Sequence, residues 1–338
     1  MKKYYVEEKI ISKKDGTILK VNRLTGDTED KSWAKTRLDF AWSELLKKIG
    51  KRAIRDFSFT EESAMIERIH TKHIFEIKTK EEPTVLTASQ LILGLVEKYN
   101  ANYDAVMAAV SQHETDDLEK YVAKNTKPYL TMLDPDYPDF MKKRYKPVIL
   151  MYYEGLIALL KINFKRLGIV TRKNISEDLA KEARKTIHDL PTNIVIVTSN
   201  KTVAQWALEN PNPHRVILVL ACGLNRTTAE CDEKTKKAVV AKGGLIITMK
   251  PQDSIASGED FIRKNHLIAA VSDALLGLDI KSGSGSLVAL SFALNNGSDV
   301  MIFPTLPNTP DCMNNNLIVE GAFLVENVKD VQEILFNK

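Results

Sequence analysis

Short apolar runs recur along the chain from about residue 160 onward and alternate with longer amphipathic stretches. The runs are rich in Val, Ile and Leu, and they cover residues 167–170, 194–198, 216–221, 245–248, 274–278 and 300–303. Such near-continuous apolar runs are typical of strands that are buried on both faces. The segments between them, such as residues 177–187 and 230–241, are long enough for crossover helices. The pattern therefore predicts an α/β fold with a doubly wound, mostly parallel sheet.

The beginning of the chain has a different pattern. Turn-forming dipeptides at residues 15–16 and 26–27 lie between short extended pieces and predict a small β-hairpin or meander. In residues 33–49 the apolar side chains recur at helical spacing, which predicts a helix with an apolar face. Ser32 is placed to cap the start of this helix, and Gly50 is placed to end it.

More helical patterns follow before residue 125. Thr87 and Gln90 have the spacing of a capping box, and helices are predicted at residues 87–99, 104–110 and 116–123. Residues 125–138 contain three prolines and several turn formers, which favours a domain boundary there. We therefore expect a smaller, mainly helical N-terminal domain at residues 1–125 and the doubly wound domain at residues 126–338.

The segment of residues 261–293 carries the strongest candidate for a binding site. It places an apolar strand at 274–278, a Gly/Ser turn at 281–286 and a helical pattern in immediate succession. Gly283 and Gly285 lack a Cβ atom, so main-chain N–H groups in the turn are open to close approach by a ligand. The start of the following helix adds a partial positive charge, and the same turn also contains Lys281, Ser284 and Ser286. The pattern predicts an anion site.

Basic side chains lie just upstream of this strand. Arg263, Lys264 and His266 precede it and provide side-chain donors for the same edge of the sheet. Phosphate is the anion that such an arrangement favours. A plain turn from strand to helix beside a solvated basic helix is the alternative interpretation, because isolated glycine motifs are weak evidence.

Composition excludes several classes of protein. The chain of 338 residues is 44% hydrophobic and 27% charged, and its formal net charge of +4 is too small to establish nucleic-acid binding. No apolar run is long enough to span a bilayer, and the start MKKYYVEEKII lacks the apolar core of a secretory signal, so we expect a cytoplasmic protein. Cys222, Cys231 and Cys312 have no metal-binding spacing. His70 and His73 lack a further set of ligands, so we expect no metal and no cofactor.

Several motifs in a fixed order make the C-terminal part resemble the DNA-processing protein A family, also called DprA or Smf. The resemblance covers roughly residues 128–325. Its elements are the segment YPDFMKKRYKPVILMYYEG, the strand and turn IVTRK that ends in Arg172 and Lys173, the loop LACGLNR, the pairing of FIRKNHLIAAVSD with SGSL, and the later Pro304, Asn315 and Glu320-Gly321-Ala322. An ordered series of this kind is much stronger evidence than any single glycine motif.

This resemblance implies an extended Rossmann-like fold and binding of single-stranded DNA in a basic pocket on a homodimer. It also implies delivery of the DNA to a RecA-type recombinase in DNA uptake, transformation or recombination, without catalysis. The residues nearest the phosphates would be Arg172, Arg263, Asn265, His266, Lys281, Ser284 and Gly285, with Lys173, Lys264, Gly283 and Ser286 beside them. Cationic and main-chain donors of this kind hold phosphates without reading bases.

The chain departs from the family pattern at several loops. The glycine expected in the first loop is missing from Val170-Thr171-Arg172, and residues 198–202 replace a segment that in the family contains glycines, an arginine and an aspartate. Met249-Lys250-Pro251 replaces a Glu-Tyr-Pro sequence, and His266 stands where an arginine is usual. These differences predict that the fold is kept and that binding is weakened or altered.

A nucleotide-binding sensor or a nucleotide-cleaving enzyme is the alternative function. Such a protein would belong to the same broader Rossmann-like group and would resemble the phosphoribohydrolases. Those enzymes carry a glutamate on the helix after the glycine-rich turn. The corresponding segment here, SGSGSLVALSFALNN, contains no acid, which favours binding over hydrolysis. Asp279 lies at the carboxyl end of its strand. It is a candidate for a ribose-binding acid, although a solvated carboxylate without a ligand is the more common case at a strand end.

Overall fold

The chain forms two compact units, Met1–Val85 and Leu86–Lys338. The computed structural model describes residues 2–49, 56–59, 63–67, 71–81, 86–161, 164–210, 212–306, 309 and 311–336. Gly50, the predicted end of the first helix, lies outside these ranges. His70, which the sequence pairs with His73 as a possible metal ligand, lies outside them as well. Along the chain, the division between the two units falls after residue 85, whereas the sequence predicts the boundary near residue 125.

The described part of the first unit consists of a five-stranded antiparallel sheet and one helix. The strands are β1 (Lys2–Ser12), β2 (Ile18–Arg23), β3 (Asp56–Phe59), β4 (Ser63–Glu67) and β5 (Thr71–Glu81). They lie in the order β2-β1-β5-β4-β3, and helix α1 (Lys31–Ile49) packs on the sheet. Leu38 of α1 is buried with Val6, Ala64 and Phe75. The predicted hairpin and helix are present, and strands β3, β4 and β5 are additional to the elements that the sequence predicts in this unit.

Alternating burial explains why residues 71–81 form a strand. His73 and Phe75 are buried and point to the face of the sheet that α1 covers, while the residues between them are less buried. This period of two is the signature of a strand with one covered face. The cap of α1 also differs from the prediction, because Asp30 Oδ1 accepts hydrogen bonds from the Ser32 and Trp33 N–H groups at 2.8 and 3.3 Å.

Three helices before residue 125 belong to the second unit. They are α2 (Ala88–Lys98), α3 (Tyr103–Ser111) and α4 (Glu119–Val122). The predicted capping box is present at α2, since the Gln90 N–H donates to Thr87 Oγ1 at 3.2 Å and the Thr87 N–H donates to Gln90 Oε1 at 2.9 Å. Leu93 of α2 and Val106 of α3 are buried in the same core as the large sheet. The turn-rich residues 125–138 therefore connect parts of one unit.

A nine-stranded sheet forms the centre of the second unit within the described residues. Its strands are β6 (Tyr129–Thr131), β7 (Leu150–Gly155), β8 (Lys165–Val170), β9 (Ile194–Thr198), β10 (Val216–Leu220), β11 (Leu245–Thr248), β12 (Ala274–Gly277), β13 (Asp299–Ile302) and β14 (Phe323–Leu324). They lie in the order β14-β13-β12-β8-β9-β10-β11-β7-β6. Strands β14 to β11 are parallel, and β7 and β6 add an antiparallel edge. This confirms the predicted doubly wound, mostly parallel sheet.

Helices cover both faces of this sheet. They include α5 (Asp139–Lys142), α6 (Glu177–Asp189), α7 (Lys201–Glu209), α8 (Glu233–Ala241), α9 (Gly258–Val271), α10 (Gly285–Asn295), α11 (Asn314–Val319) and α12 (Val328–Phe336). Successive residues of β9 alternate between two cores: Ile194 and Ile196 belong to one, and Val195 and Val197 to the other. Because both faces are buried, the strand sequences are continuously apolar.

The direction of the strand order reverses beside β8. From β8 the chain builds β9, β10 and β11 outward on one side, and it then returns to build β12, β13 and β14 on the other side. The loops that leave β8 and β12 therefore diverge at neighbouring carboxyl ends. In doubly wound sheets such a switch point opens a crevice that binds ligands.

Candidate nucleic-acid interface

A cleft of about 370 Å3 lies at the carboxyl ends of β8, β9 and β12. Residues 169–174, 199–202, 229–230, 264–265, 281 and 284–286 line it. Eight of the eleven residues predicted to bind phosphate are in this lining: Arg172, Lys173, Lys264, Asn265, Lys281, Ser284, Gly285 and Ser286. The structure thus brings the Gly/Ser turn and the first loop to one cleft at the switch point.

The Gly/Ser turn forms the start of α10 at one wall of the cleft. Gly283 has φ of +68°, a backbone conformation that glycine adopts without strain, and the Ser284 N–H donates to the Lys281 carbonyl at 3.1 Å. Ser284 caps the helix, because its Oγ atom accepts from the Leu287 N–H at 3.4 Å. The first N–H groups of a helix have no partner inside the helix, so those of α10 are available at the cleft.

Gly285 and Asn265 fit closely together in this wall. A Cβ atom at position 285 would lie 2.7 Å from Asn265 Nδ2, well inside van der Waals contact. The Asn265 side chain is therefore admitted to the cleft lining because residue 285 has no side chain. The sequence predicts both residues as part of the site, and the structure adds this steric relationship between them.

A second helix start faces the cleft where the chain departs from the family pattern. Asn200 caps α7, and its Oδ1 atom accepts from the Thr202 and Val203 N–H groups at 2.9 and 3.3 Å. Lys201 follows directly and lines the cleft. This cation was missed by the sequence analysis, which recorded only the loss of the family's own residues. Its position immediately after a parallel strand is the signal that points to it.

Arg172 is held by Asp279 at the floor of the cleft. The Arg172 N–H donates to the Asp279 carbonyl at 2.9 Å, and the guanidinium forms an ion pair with the Asp279 carboxylate. The Asp279 side chain is only 1% exposed and also accepts from the Ser176 N–H at 3.3 Å. Asp279 is thus a buried anchor between the loops that follow β8 and β12, not a solvated acid or a free ribose acceptor.

Lys264 lies in the cleft wall and is paired with a carboxylate. Its Nζ atom is 2.6 Å from Glu230 Oε2, and its side chain is 7% exposed compared with 34% for Glu230. The backbone of Glu230 is fixed because its carbonyl accepts from the Lys201 N–H at 3.0 Å. Glu230 lines the cleft and was missed by the sequence analysis, which assigned it to the start of a helix.

The five cationic side chains in the lining are not equally available. Lys201 lies 3.5 Å from Asp232 and Lys281 lies 3.3 Å from Asp311, and in both pairs the side chains are largely exposed. Lys173 is exposed and, within the part of the chain that the structure describes, forms no ion pair. The cleft is therefore cationic but contains its own counterions.

Two further donors at the floor lack a partner. Thr171 Oγ1 and Arg172 Nε are both buried, and neither finds a hydrogen-bond partner among the described residues. Both atoms belong to residues that line the cleft.

Arg263 lies outside the cleft lining. Its guanidinium is 2.8 Å from Asp260 and 3.1 Å from Glu259, and it donates to the Asn100 carbonyl at 3.3 Å. These contacts hold α9 to the turn between α2 and α3. The adjacent Lys264 is the side chain of this pair that lines the cleft, and a role of Arg263 on the phosphate path stays a prediction.

His266 and Gly283 are also absent from the lining. His266 is buried, its Nε2 atom is 3.0 Å from the Tyr145 carbonyl, and its ring packs edge-on against Phe292 with centroids 5.0 Å apart. Burial lowers the pKa of His266, which favours the neutral ring. His266 thus provides neither a charge nor an accessible donor to the cleft, and Gly283 serves the turn.

Other candidate chemistry gains no support. Cys222 is buried, and burial raises the pKa of its thiol, which disfavours the nucleophilic thiolate. Among the described residues no cluster of three or more His, Cys, Asp or Glu side chains is placed to hold a metal ion. In the same ranges no helix has both the length and the apolar character needed to cross a membrane.

Two solved structures share this fold. The DNA processing protein A (DprA) of Streptococcus pneumoniae aligns with a TM-score of 0.59 and 24% identity over 74% of this chain and 94% of its own. The DprA of Helicobacter pylori, a protein with a described single-stranded DNA binding mode, aligns with a TM-score of 0.53 and 19% identity over 63% and 97%. The likeness confirms the Rossmann-like fold.

Sequence comparison gives the family. The DNA processing protein DprA of S. pneumoniae is 26% identical over 211 residues, which cover 60% of this chain and 73% of the relative. Protein Smf of Borreliella burgdorferi is 27% identical over 228 residues, which cover 65% and 70%. The family model for DNA recombination-mediator protein A matches residues 128–336, well over half of the chain. The chain therefore belongs to the DNA recombination-mediator protein A family, known as DprA or Smf.

Proposed function

We propose that this protein binds single-stranded DNA in the cleft at the carboxyl ends of β8, β9 and β12. The observation that carries the proposal is the meeting of two helix starts, α7 and α10, with five cationic side chains in one cleft at the switch point of the sheet. The family membership and the DNA-binding relative from H. pylori support the same assignment.

The chemistry of the lining favours contacts to the DNA backbone. Lysine ammonium groups and the Gly285 and Ser286 N–H groups at the start of α10 neutralise and hold phosphates, and they carry no base preference of their own. The first N–H groups of α7 already have partners in Asn200 Oδ1 and the Glu230 carbonyl. The serines and Asn265 add further hydrogen-bond donors to the lining. Binding is therefore largely independent of sequence and strongly dependent on salt.

The role in the cell follows from the family resemblance. The protein protects or delivers single-stranded DNA to a RecA-type recombinase during DNA uptake or recombination, as a homodimer and without catalysis. Absence of catalysis is consistent with the paired state of the acids at the cleft, because Asp279 is held by Arg172 and Glu230 by Lys264. Faster assembly of recombinase filaments on DNA coated with single-strand binding protein, and a dimer mass in light scattering, are the corresponding tests.

A titration with a fluorescent oligothymidylate tests DNA binding. We expect saturable binding at low salt, with a log-log salt slope of about −0.7 per phosphate contact. Replacing Lys173 and Lys281 together by Gln removes two exposed cleft cations and should weaken binding about tenfold. Lys234, an exposed residue of α8 outside the cleft lining, provides the control variant Lys234→Gln. Absence of binding at low salt would refute the proposal.

The alternative function has a separate outcome in the same experiment. The cleft volume of about 370 Å3 is within the range of small-molecule sites, so a mononucleotide is a reasonable competitor. Saturable binding of a mononucleotide without any affinity for the oligonucleotide would favour the nucleotide sensor or nucleotide-cleaving enzyme. Release of a free base from that mononucleotide would separate the enzyme from the sensor.

A further inference from the structure

The Lys264–Glu230 ion pair places a carboxylate inside a cleft built for anions. Lys264 is the most buried of the lysines in the lining, and Glu230 Oε2 lies 2.6 Å from its ammonium group. A buried ammonium group requires a counterion because water no longer solvates it. In the structure the Glu230 carboxylate of the same chain is this counterion.

Glu230 is held at this position by its backbone. Its carbonyl accepts from the Lys201 N–H at 3.0 Å, at the start of α7. The backbone groups of Thr228 and Cys231 on either side are joined by two hydrogen bonds of 3.0 and 3.1 Å, and Cys231 is buried. The Glu230 side chain, by contrast, is 34% exposed. The loop thus fixes the backbone of Glu230, while its carboxylate is partly exposed to solvent.

We propose that Glu230 limits the affinity of the cleft for DNA by occupying the counterion position beside Lys264 that a phosphate of the strand would take. This inference rests on the proposed function of the cleft. A phosphate that approaches Lys264 meets a like charge as long as Glu230 remains, and like charges brought together oppose binding. DNA binding therefore exchanges one counterion for another, so Lys264 contributes less than an unpaired lysine.

The variant Glu230→Gln separates this effect from a purely structural one. Glutamine keeps an oxygen that accepts from the Lys264 ammonium group and removes the negative charge. We expect it to bind an oligothymidylate about fivefold more tightly at low salt, the effect of one partly exposed charge interaction. The slope of log affinity against log salt should steepen by about 0.7, because one more phosphate is neutralised by the protein.

Glu233→Gln is the matched control. Glu233 lies three residues further along, pairs with Lys236 at 3.1 Å, is 57% exposed and is absent from the cleft lining. It carries the same charge change in the same region, so its affinity and salt slope should stay within twofold of the wild type. Glu230→Asn is the second variant of the cleft residue: it removes the same charge, keeps an amide oxygen on a shorter side chain, and should give the same gain in affinity.

The outcomes are distinct. Tighter binding and a steeper slope for the Glu230 variants alone support the inference. Equal or weaker binding by folded Glu230 variants overturns it while the proposed function stands, since weaker binding would mean that Glu230 positions Lys264 for phosphate. If neither the wild type nor the Glu230 variants bind the oligonucleotide at low salt, the proposed function fails and the inference fails with it.

Discussion

The Asn265 side chain lies in the cleft because Gly285 has no Cβ atom: a Cβ atom built there would be 2.7 Å from Asn265 Nδ2. We expect Gly285→Ala to displace the Asn265 amide and to weaken binding of single-stranded DNA about fivefold, the effect of one lost hydrogen bond. The fold should be retained, because the colliding atom is at the end of a side chain that can turn away. A fluorescence anisotropy titration measures the change.

The matched control for this variant is Gly258→Ala. Gly258 is the first residue of α9 as Gly285 is of α10, but a Cβ atom at Gly258 has no neighbour within 4 Å. Its replacement should leave DNA affinity unchanged and stabilise the protein by about 0.4–1 kcal/mol through the unfolded state. Equal affinity losses for both variants would show that the steric relationship between Gly285 and Asn265 is irrelevant to binding.

Removing the Asp279 carboxylate should destabilise the second unit. Asp279→Asn leaves the Arg172 guanidinium without its counterion at a position where Asp279 is 1% exposed, and breaking such a pair costs about 3 kcal/mol. Chemical denaturation measures the free energy of unfolding. Asp311→Asn breaks the exposed pair with Lys281 and should cost less than about 1 kcal/mol. Similar costs for the two variants would argue against Asp279 as a buried anchor.

Arg263→Ala should reduce stability and leave the DNA affinity of the folded protein within about twofold of the wild type. The Arg263 guanidinium contacts Asp260, Glu259 and the Asn100 carbonyl, and it is absent from the cleft lining. Loss of the charged hydrogen bond to the buried Asp260 costs about 1.5–3 kcal/mol. The matched comparison is Lys173→Ala, whose side chain lines the cleft and should change affinity without changing the unfolding midpoint. If Arg263→Ala lost DNA affinity at unchanged stability, the result would support a direct contact between Arg263 and the DNA phosphates.

The sequence predicts the sheet of the second unit well because its signal is local. Each parallel strand is a continuous apolar run, and the Gly/Ser turn after β12 is visible from a few neighbouring residues. The first unit is less visible, since strands such as β5 carry many charged residues on their open face. Glu230 and Lys201 join the cleft only through the packing of loops that are distant in sequence from the turn.

Helical geometry explains why only part of the basic run on α9 lines the cleft. Successive residues of a helix point about 100° apart, so a basic run cannot direct every side chain to one site. Lys264 and Asn265 reach the cleft, while Arg263 and His266 lie against other parts of the second unit. The sequence identifies this run as basic, but only the packing of α9 decides which of its residues face the ligand.

The buried His266 ring should make stability depend on pH. Burial lowers the pKa of His266 below its ordinary value of 6.5, which it regains in the unfolded chain. The stabilisation is therefore fully present above pH 6.5 and is lost as the pH falls through the lowered pKa of the folded state. His266→Gln keeps a donor for the Tyr145 carbonyl but does not titrate, so it should reduce the decline in unfolding free energy between about pH 7.5 and 5. Part of the decline should remain, because burial also lowers the pKa of His214. His188→Gln, at an exposed position beside Asp189, is the control variant and should retain the wild-type dependence of unfolding free energy on pH. If His266→Gln also retained the wild-type dependence, the His266 ring would be ruled out as a source of it.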